Sequence, residues 1–194
     1  MTGIQVSADD QQIYVKQLEF LRDVTKKGAR IAWLGPKIIW EAITGEASRE
    51  GARQAGLQLQ PQLTDGPVDE ASIRRAVAGI VATKPDGLLL SAATEMFPFR
   101  QLIAELAISA RLLAFGSNRA YPEAGLLMSY GAEFSVLWRR AAHHVDRILK
   151  GARPGDIPIE QPYTIELVIN LKTAKTLGIK VPQTLLLRAD RVIE

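Results

Sequence analysis

The sequence contains no cysteine and only two histidines. Without cysteine there can be no disulfide bond, thiolate metal site or cysteine nucleophile. The histidines, His143 and His144, are adjacent, and neighbouring side chains on a helix point about 100° apart. They cannot chelate one metal ion from a regular helix, so packing or surface roles are expected for both. We expect neither a metal site nor a cofactor.

Long apolar runs are also missing. No run approaches the roughly 18 residues that a membrane-spanning helix needs. Residues 1–10 lack the basic segment followed by an apolar one that marks an export signal. The 24 lysines and arginines exceed the 21 acidic residues by three, and they are scattered along the chain. Scattered cations are typical of a solvated surface, so nucleic acid is not expected as a partner.

What the chain does contain is an alternation of strand and helix patterns separated by short loops. Its 194 residues suit a single domain. This alternation predicts an α/β fold with three αβα layers and a mainly parallel sheet. We expect strands at 3–7, 29–34, 57–63, 86–91, 112–115, 125–131 and 163–169. We expect helices from 9, 38, 69, 98, 133 and 170, ending near 28, 55, 80, 106, 150 and 178, and a turn or helix after Pro182.

The clearest strand pattern is the stretch 86–91, where the short apolar run Leu88-Leu89-Leu90 follows Pro85-Asp86-Gly87 and small residues come after it. Such a run is typical of a strand buried on both faces. Loops that leave the carboxyl ends of parallel strands share one rim, where ligands bind in open α/β sheets. Three such loops supply the candidate ligand-binding residues: Gly35, Pro36, Lys37, Ser91, Ala92, Ala93, Thr94, Gly116, Ser117, Asn118 and Arg119.

Small residues in these loops would let a ligand approach the backbone, and hydroxyl, amide and helix N-terminal groups would offer hydrogen bonds. Ordinary βα loops would give the same pattern, and geometry alone does not choose between the two readings. A phosphate loop at Gly35 is disfavoured because one glycine replaces the three of the dinucleotide fingerprint.

Catalytic devices are poorly supported by the sequence. Ser91, Ser117 and Ser129 lack the flanking glycines of a nucleophile elbow, and no histidine lies at a strand end to act as a base. The paired carboxylates Asp9-Asp10 and Asp69-Glu70 lie at helix starts, where capping explains them. Three tryptophans, at positions 33, 40 and 138, are expected in the core. No enzymatic activity is therefore expected.

The C-terminal part resembles the substrate-binding proteins of ABC transporters, of the tryptophan/tyrosine type. The resemblance is carried by ELVINLKTAKTLG at 166–178, VP at 181–182 and LLLRAD at 185–190. It extends back through RILKG at 147–151 and GLLMSYG at 125–131 to Thr2-Gly3, which is similar to a connector between lobes.

This resemblance implies one lobe of a type I periplasmic-binding-protein-like fold: a single C-terminal ligand-binding lobe over 1–194. It implies a receptor that closes on a small ligand, such as an aromatic amino acid, and delivers it to an ABC permease. A periplasmic or extracytoplasmic location is implied for the full-length family. The N-terminal lobe and export signal of family members are expected to be absent here. Two loops depart from the family: Gly35-Pro36 replaces Asn-Pro, and Ser91 to Thr94 replaces runs containing glycine and aspartate.

The helix expected at 133–150 has a particular consequence. In two-lobed receptors the chain crosses between lobes near this point, so 133–160 is expected to belong with the opposite lobe. Its apolar side, assigned to Leu137, Ala141, Val145 and Ile148, would then be exposed, and exposed apolar patches favour association. We expect a homodimer or a swapped arrangement that covers this helix.

Three functions remain open from the sequence. The first is a solute receptor of an ABC importer, and the second is a cytoplasmic ligand-sensing or regulatory domain of the same architecture. The third is a small α/β enzyme, which would need an acid-base pair at the rim.

Overall fold

A mainly parallel sheet runs through the middle of the molecule. The computed structural model describes residues 10–159 and 164–194, and the strands within them form one seven-stranded sheet in the order β2-β1-β3-β4-β5-β6-β7. Strands β1 to β5 are parallel, β6 runs antiparallel to β5, and β7 is parallel to β6. The strands are β1 Arg30–Pro36, β2 Gln58–Thr64, β3 Gly87–Leu90, β4 Ala114–Gly116, β5 Met128–Ala132, β6 Ile165–Asn170 and β7 Arg191–Ile193.

Helices cover both faces of this sheet. They are α1 Asp10–Asp23, α2 Lys37–Ile39, α3 Gly45–Ala55, α4 Glu70–Ala82, α5 Arg100–Ser109, α6 Ala120–Ala124, α7 Phe134–Leu149, α8 Leu171–Leu177 and α9 Gln183–Leu186. Successive residues of β1 point to opposite faces. Ile31 and Trp33 pack in one apolar core with α1, α3 and α9, while Ala32 and Leu34 pack in the other with α4 and α5. The predicted three-layer α/β fold is confirmed.

Local sequence explains where several helices begin and end. Asp69 caps α4: its carboxylate accepts from the Ser72 backbone N–H at 2.7 Å, and the Ser72 hydroxyl lies 2.9 Å from the Asp69 backbone N–H. This reciprocal pair satisfies donors that a helix N-terminus otherwise leaves open. Helix α3 ends at Gly56, whose φ of 67° lies in the left-handed region that glycine adopts without strain. The predicted capping role of Asp69 is confirmed.

The helix predicted over 38–55 has an irregular first part. A π-helical turn, Trp40–Thr44, separates α2 from α3. The Trp40 ring packs on Trp33 with the ring centroids 4.7 Å apart, and the guanidinium of Arg49 lies 4.8 Å from the centre of the Trp40 ring. A helical periodicity does not reveal an extra residue in one turn, so the sequence pattern could not show this feature.

The structure differs from the sequence expectations at a few elements. The strand expected at 3–7 lies outside the described residues. Helix α6 and strand β7 were not expected, because both are too short to show a period. Strand β6 begins at Ile165, and the earlier part of the expected strand at 163–169 includes an undescribed residue.

The assignment of Trp138 to the core is wrong. This side chain is 71% exposed on α7, whereas Trp33 and Trp40 are buried as expected. The apolar side of α7 was also assigned wrongly in part. Leu137 is buried, and the exposed apolar residues of the helix are Phe134, Trp138, Val145 and Leu149. The reason is rotational: the buried side of α7 is the one that carries Leu137 and His144.

Candidate functional site

The carboxyl ends of β1, β3, β4 and β5 lie along one edge of the sheet because these strands are parallel. The loops that follow them therefore share a rim, as the sequence analysis predicted. Residues 91–94 lead from β3 into a 3-10 turn, Thr94–Phe99, and residues 117–119 lead from β4 into α6. Glu133 leads from β5 into α7.

A cavity of about 220 Å³ lies between these loops and the start of α7. Five of the predicted residues border it, from two loops, and four aromatic residues complete the wall. The lining consists of Ala92, Ala93, Thr94, Phe97, Ser117, Asn118, Tyr121, Phe134 and Trp138. Known small-molecule pockets occupy about 300–1,000 Å³, so this cavity is small for a complete site.

Aromatic rings dominate the wall of this rim pocket. Phe97 and Tyr121 meet edge to face, with ring centroids 6.3 Å apart at 88°. The guanidinium of Arg100 lies 4.6 Å from the centre of the Phe97 ring and supports it from one side. Burial raises the pKa of Tyr121 to about 12, so its phenol is protonated and neutral at physiological pH. The wall can therefore offer apolar and quadrupolar contacts to a flat ring.

Polar groups of the rim pocket come from the loop after β4. Ser117 and Asn118 border the cavity although both residues are largely buried. The Asn118 side-chain oxygen accepts a hydrogen bond from the Ala120 backbone N–H at 3.1 Å, which fixes the orientation of the amide. An amide held in this way can present its remaining polar atoms in a fixed direction, as specific recognition requires.

Ser91 does not reach the cavity. Its side chain is fully buried, and its hydroxyl oxygen accepts from the Ala93 backbone N–H at 3.2 Å. This hydroxyl therefore shapes the loop from inside. Thr94, the other residue favoured for ligand contact, is exposed and borders the cavity.

The two rim glycines serve internal packing. A Cβ atom on Gly35 would overlap the Ser91 side chain and lie 2.6 Å from the Trp33 ring. A Cβ atom on Gly116 would overlap the Tyr121 side chain, with the Tyr121 Cγ at 2.6 Å. The space beside each glycine is therefore filled by the protein itself. The Cβ side of Gly35 and of Gly116 is therefore closed to a ligand.

The loop after β1 faces a separate depression. Pro36 and Lys37 border an open hollow of about 470 Å³ together with the turn after β2, at Asp65 and Gly66. The Lys37 ammonium lies 4.0 Å from the Glu41 carboxylate on the next helical turn. The structure thus separates Gly35, Pro36 and Lys37 from the rim pocket.

Arg119 ties the rim to the start of α7. Its guanidinium lies 3.5 Å from the Glu133 carboxylate. Glu133 also caps α7 by accepting from the Ser135 backbone N–H at 3.0 Å and from the Ser135 hydroxyl. These hydrogen bonds to Ser135, followed by the charge of Arg119, hold the pKa of Glu133 below its usual range. Arg119 therefore positions the helix whose Phe134 and Trp138 border the pocket.

A larger depression of about 540 Å³ lies away from the rim, between α1 and α3. Two of its charged groups already pair: Glu50 accepts from the guanidinium of Arg53, and it also accepts from the amide of Gln54. These contacts lower the pKa of Glu50 to about 2. This ion pair on an open surface does not by itself define a ligand site.

Sequence reasoning missed the aromatic wall. Phe97, Tyr121 and Phe134 each follow a rim loop by a few residues, so extending each loop into the next helix would have found them. Trp138 stands one helical turn beyond Phe134, a spacing that places both on the same side of α7.

Within 10–159 and 164–194, no cluster of three or more histidine, cysteine or acidic residues could hold a metal ion. No helix among those residues is long and apolar enough to cross a membrane.

The fold defines a class of protein: a three-layer α/β domain with a mainly parallel sheet. Several solved structures share this fold. One is an ABC domain in complex with L-Trp from Streptococcus pneumoniae, with TM-score 0.79 and 24% identity, matched over 93% of this chain and 60% of that one. A conserved domain protein from Vibrio cholerae has TM-score 0.78 and 22% identity over 92% and 60% of the two chains. A LacI family transcriptional regulator from Bifidobacterium animalis has TM-score 0.59 and 14% identity over 84% and 61%.

The chain belongs to the family described as ABC transporter substrate binding protein, whose sequence profile matches residues 46–193. The fold is that of type I periplasmic-binding-protein-like domains, as the sequence resemblance implied. The chain spans about 60% of the length of the first two structures. A search of curated proteins finds no match.

Proposed function

We propose that this chain is the ligand-binding lobe of an ABC importer's solute receptor and that its rim pocket holds the aromatic ring of a small ligand. The observation that carries the proposal is the aromatic wall of Phe97, Tyr121, Phe134 and Trp138 around the cavity. Flat rings pack favourably on such walls, edge to face or offset. The residues proposed to contact the ligand are Ala92, Ala93, Thr94, Ser117 and Asn118 together with these aromatics.

An aromatic amino acid is the proposed ligand class. The streptococcal ABC domain, which has a similar fold, was crystallised with L-Trp. In this chain the ring would lie against Phe97 and Trp138, while Thr94, Ser117 and Asn118 supply polar atoms for the amino and carboxylate groups. Ser91, Gly35 and Gly116 would support the loops from inside.

The cavity is smaller than a usual ligand pocket, which supports a cleft with two walls. We propose that the opposite wall comes from a second lobe, and that residues 133–160 belong with that lobe. The partner of the complete receptor would be an ABC permease, and its location would be periplasmic or otherwise extracytoplasmic. Closure of the two lobes on the ligand would be a hinge motion.

Calorimetric titration tests the ligand proposal. L-tryptophan and L-phenylalanine should release heat on binding to the 194-residue chain, and L-leucine and glucose should not. Phe97→Ala should weaken binding about tenfold or more, because loss of one aromatic contact costs about 0.5–1.5 kcal/mol beyond lost apolar area. Ile38→Ala is the matched control: this apolar residue is also exposed but borders the other hollow. Equal weakening in both variants would refute the pocket assignment.

A second candidate is a cytoplasmic ligand-sensing domain. It is favoured by the fold similarity to the LacI family regulator from Bifidobacterium animalis. Both candidates bind a small molecule, so cellular location separates them: a receptor is extracytoplasmic and a regulator is not. Fractionation of the native organism, with detection by a specific antibody, decides between the two.

A further inference from the structure

Tyr121 is a buried polar residue in the wall of the rim pocket. Only 1% of its surface is exposed, yet it borders the cavity. Its hydroxyl makes no hydrogen bond within the described part of the chain. The hydroxyl of a buried tyrosine usually has a hydrogen-bond partner, because leaving it unpaired costs free energy. The Tyr121 hydroxyl is therefore a polar group of the pocket that the described residues do not satisfy.

The fold holds the Tyr121 ring in one place. Its Cβ, Cγ and Cδ2 atoms fill the space beside Gly116, so the ring packs directly on β4. The Leu126 backbone N–H donates to the Tyr121 carbonyl at 3.0 Å. The side-chain amide of Asn170, at the end of β6, donates to the Pro122 carbonyl at 2.8 Å. A hydroxyl on a ring fixed in this way has a defined position, as selection between similar ligands requires.

The protonation state of Tyr121 decides which ligand groups its hydroxyl can bind. Burial, opposed in part by the charge of Arg100, raises the pKa of Tyr121 to about 12. The phenol is therefore neutral at physiological pH, and its oxygen can accept a hydrogen bond. An indole N–H is a donor that this oxygen can accept, whereas a phenyl ring carries no such donor.

The neighbours of Tyr121 indicate which part of the ligand it meets. Its ring contacts Phe97 edge to face, and Phe97 belongs to the surface proposed above for the ring of the ligand. The polar loop residues of the pocket are already assigned to the amino and carboxylate groups. The Tyr121 hydroxyl, which belongs to the aromatic wall, is left for a polar atom on the ring itself.

We propose that Tyr121 is the specificity-determining residue of the rim pocket, and that its hydroxyl accepts a hydrogen bond from a donor on the aromatic ring of the ligand. The preferred ligand class is an amino acid whose ring carries an N–H or O–H group, such as indole. This inference rests on the aromatic-ligand function proposed above. A pocket with a hydrogen-bonding group discriminates against a ligand that lacks the matching group, because the pocket group is then left unpaired.

Calorimetric titration with two ligands of nearly equal shape tests this contact. L-tryptophan carries an indole N–H, and L-benzothienylalanine has a sulfur atom in its place. The native chain should bind L-tryptophan about tenfold more tightly than the analogue, and Tyr121→Phe should bind both alike. The loss should fall on L-tryptophan alone. Tyr130→Phe is the matched control, since it also removes one hydroxyl, from a tyrosine that packs on Phe20 outside the pocket, and it should keep the native preference.

Thermal unfolding checks that Tyr121→Phe leaves the fold intact. Its midpoint should equal or exceed that of the native chain, because the removed hydroxyl has no partner in the described residues. If Tyr121→Phe weakens both ligands equally, the residue acts through packing or contacts the amino-acid backbone of the ligand, and the inference is overturned. A native chain that binds both ligands equally also overturns it but leaves the aromatic-ligand function in place. A native chain that binds neither ligand refutes that function and this inference together.

Discussion

Arg119 and Glu133 lie 3.5 Å apart and join the loop after β4 to the first turn of α7. Both ends of this contact are at the rim of the sheet, and the Glu133 side chain is 14% exposed. Glu133 also caps α7 through Ser135. One carboxylate therefore links the ligand loop to the helix that carries Phe134 and Trp138.

The two partners should respond differently to substitution. Arg119→Ala removes a partly exposed ion pair, so the free energy of unfolding should fall by less than about 1 kcal/mol. Glu133→Gln removes charge from the helix cap as well, and amide exchange in the first turn of α7 should accelerate more than in Arg119→Ala. Hydrogen exchange followed by mass spectrometry measures this difference. Equal acceleration in both variants would show that the cap contributes nothing beyond the ion pair.

Asp86 predicts a specific pH dependence of stability. Its carboxylate lies 2.7 Å from the Lys26 ammonium and accepts from the Arg30 backbone N–H at 2.8 Å. Lys26, followed by the Arg30 N–H, holds the pKa of Asp86 below its usual range. A lowered pKa in the folded state stabilises the fold above the unfolded pKa of about 3.9, and this contribution is lost as pH falls through the folded value.

Asp86→Asn should therefore lower the free energy of unfolding by about 1.5 kcal/mol at pH 7. The gap between the variant and the native chain should close progressively below about pH 4. Urea unfolding at a series of pH values measures it. Asp146→Asn is the control, because that carboxylate pairs with Lys150 in an exposed position. If the difference in free energy of unfolding between Asp86→Asn and the native chain stays constant at every acidic pH tested, the assigned ion pair is contradicted.

Gly116 should not tolerate a side chain. A Cβ atom there would overlap Tyr121, which is buried, so Gly116→Ala should destabilise the fold by about 1–3 kcal/mol. Gly79→Ala is the matched control in the interior of α4. Its new Cβ would lie 3.4 Å from the Gln62 side-chain oxygen, and alanine favours the helix by about 1 kcal/mol over glycine. Thermal unfolding should order the variants Gly116→Ala, native, Gly79→Ala. If Gly116→Ala unfolds at a higher temperature than the native chain, the Tyr121 side chain must move away from the new Cβ atom without cost.

Sequence patterns predicted the three layers of the fold because burial spaces apolar residues at the regular intervals of a helix or a strand. The run Leu88-Leu89-Leu90 is apolar throughout because β3 is buried on both faces, and the helix after Asp69 follows from its capping residues. Short elements lack such a signal. Helix α6 has five residues and β7 has three, so their existence depends on contacts such as that of Arg191 with Glu123 across the fold.

The sequence predicted which loops share the rim, but it did not predict which of their side chains border the pocket. Topology places the loops after β3 and β4 together, and Thr94, Ser117 and Asn118 border the cavity as expected. The side-chain direction of Ser91 and the rotation of α7 are decided by packing between distant segments. Gly35 shows why the sequence alone was not enough. Its small size is compatible with a ligand-binding loop, yet the Ser91 and Trp33 side chains fill the space beside it.

The most direct test of the central claim maps ligand contacts on the chain itself. In an amide NMR titration of the isotope-labelled 194-residue protein, L-tryptophan should shift resonances of residues 92–94, 97 and 117–118 in a saturable manner. Amides around Lys37, Asp65 and Gly66 should stay unchanged. Saturable shifts centred on that second group, or no shifts at millimolar L-tryptophan and L-phenylalanine, would contradict aromatic ligand binding in the rim pocket.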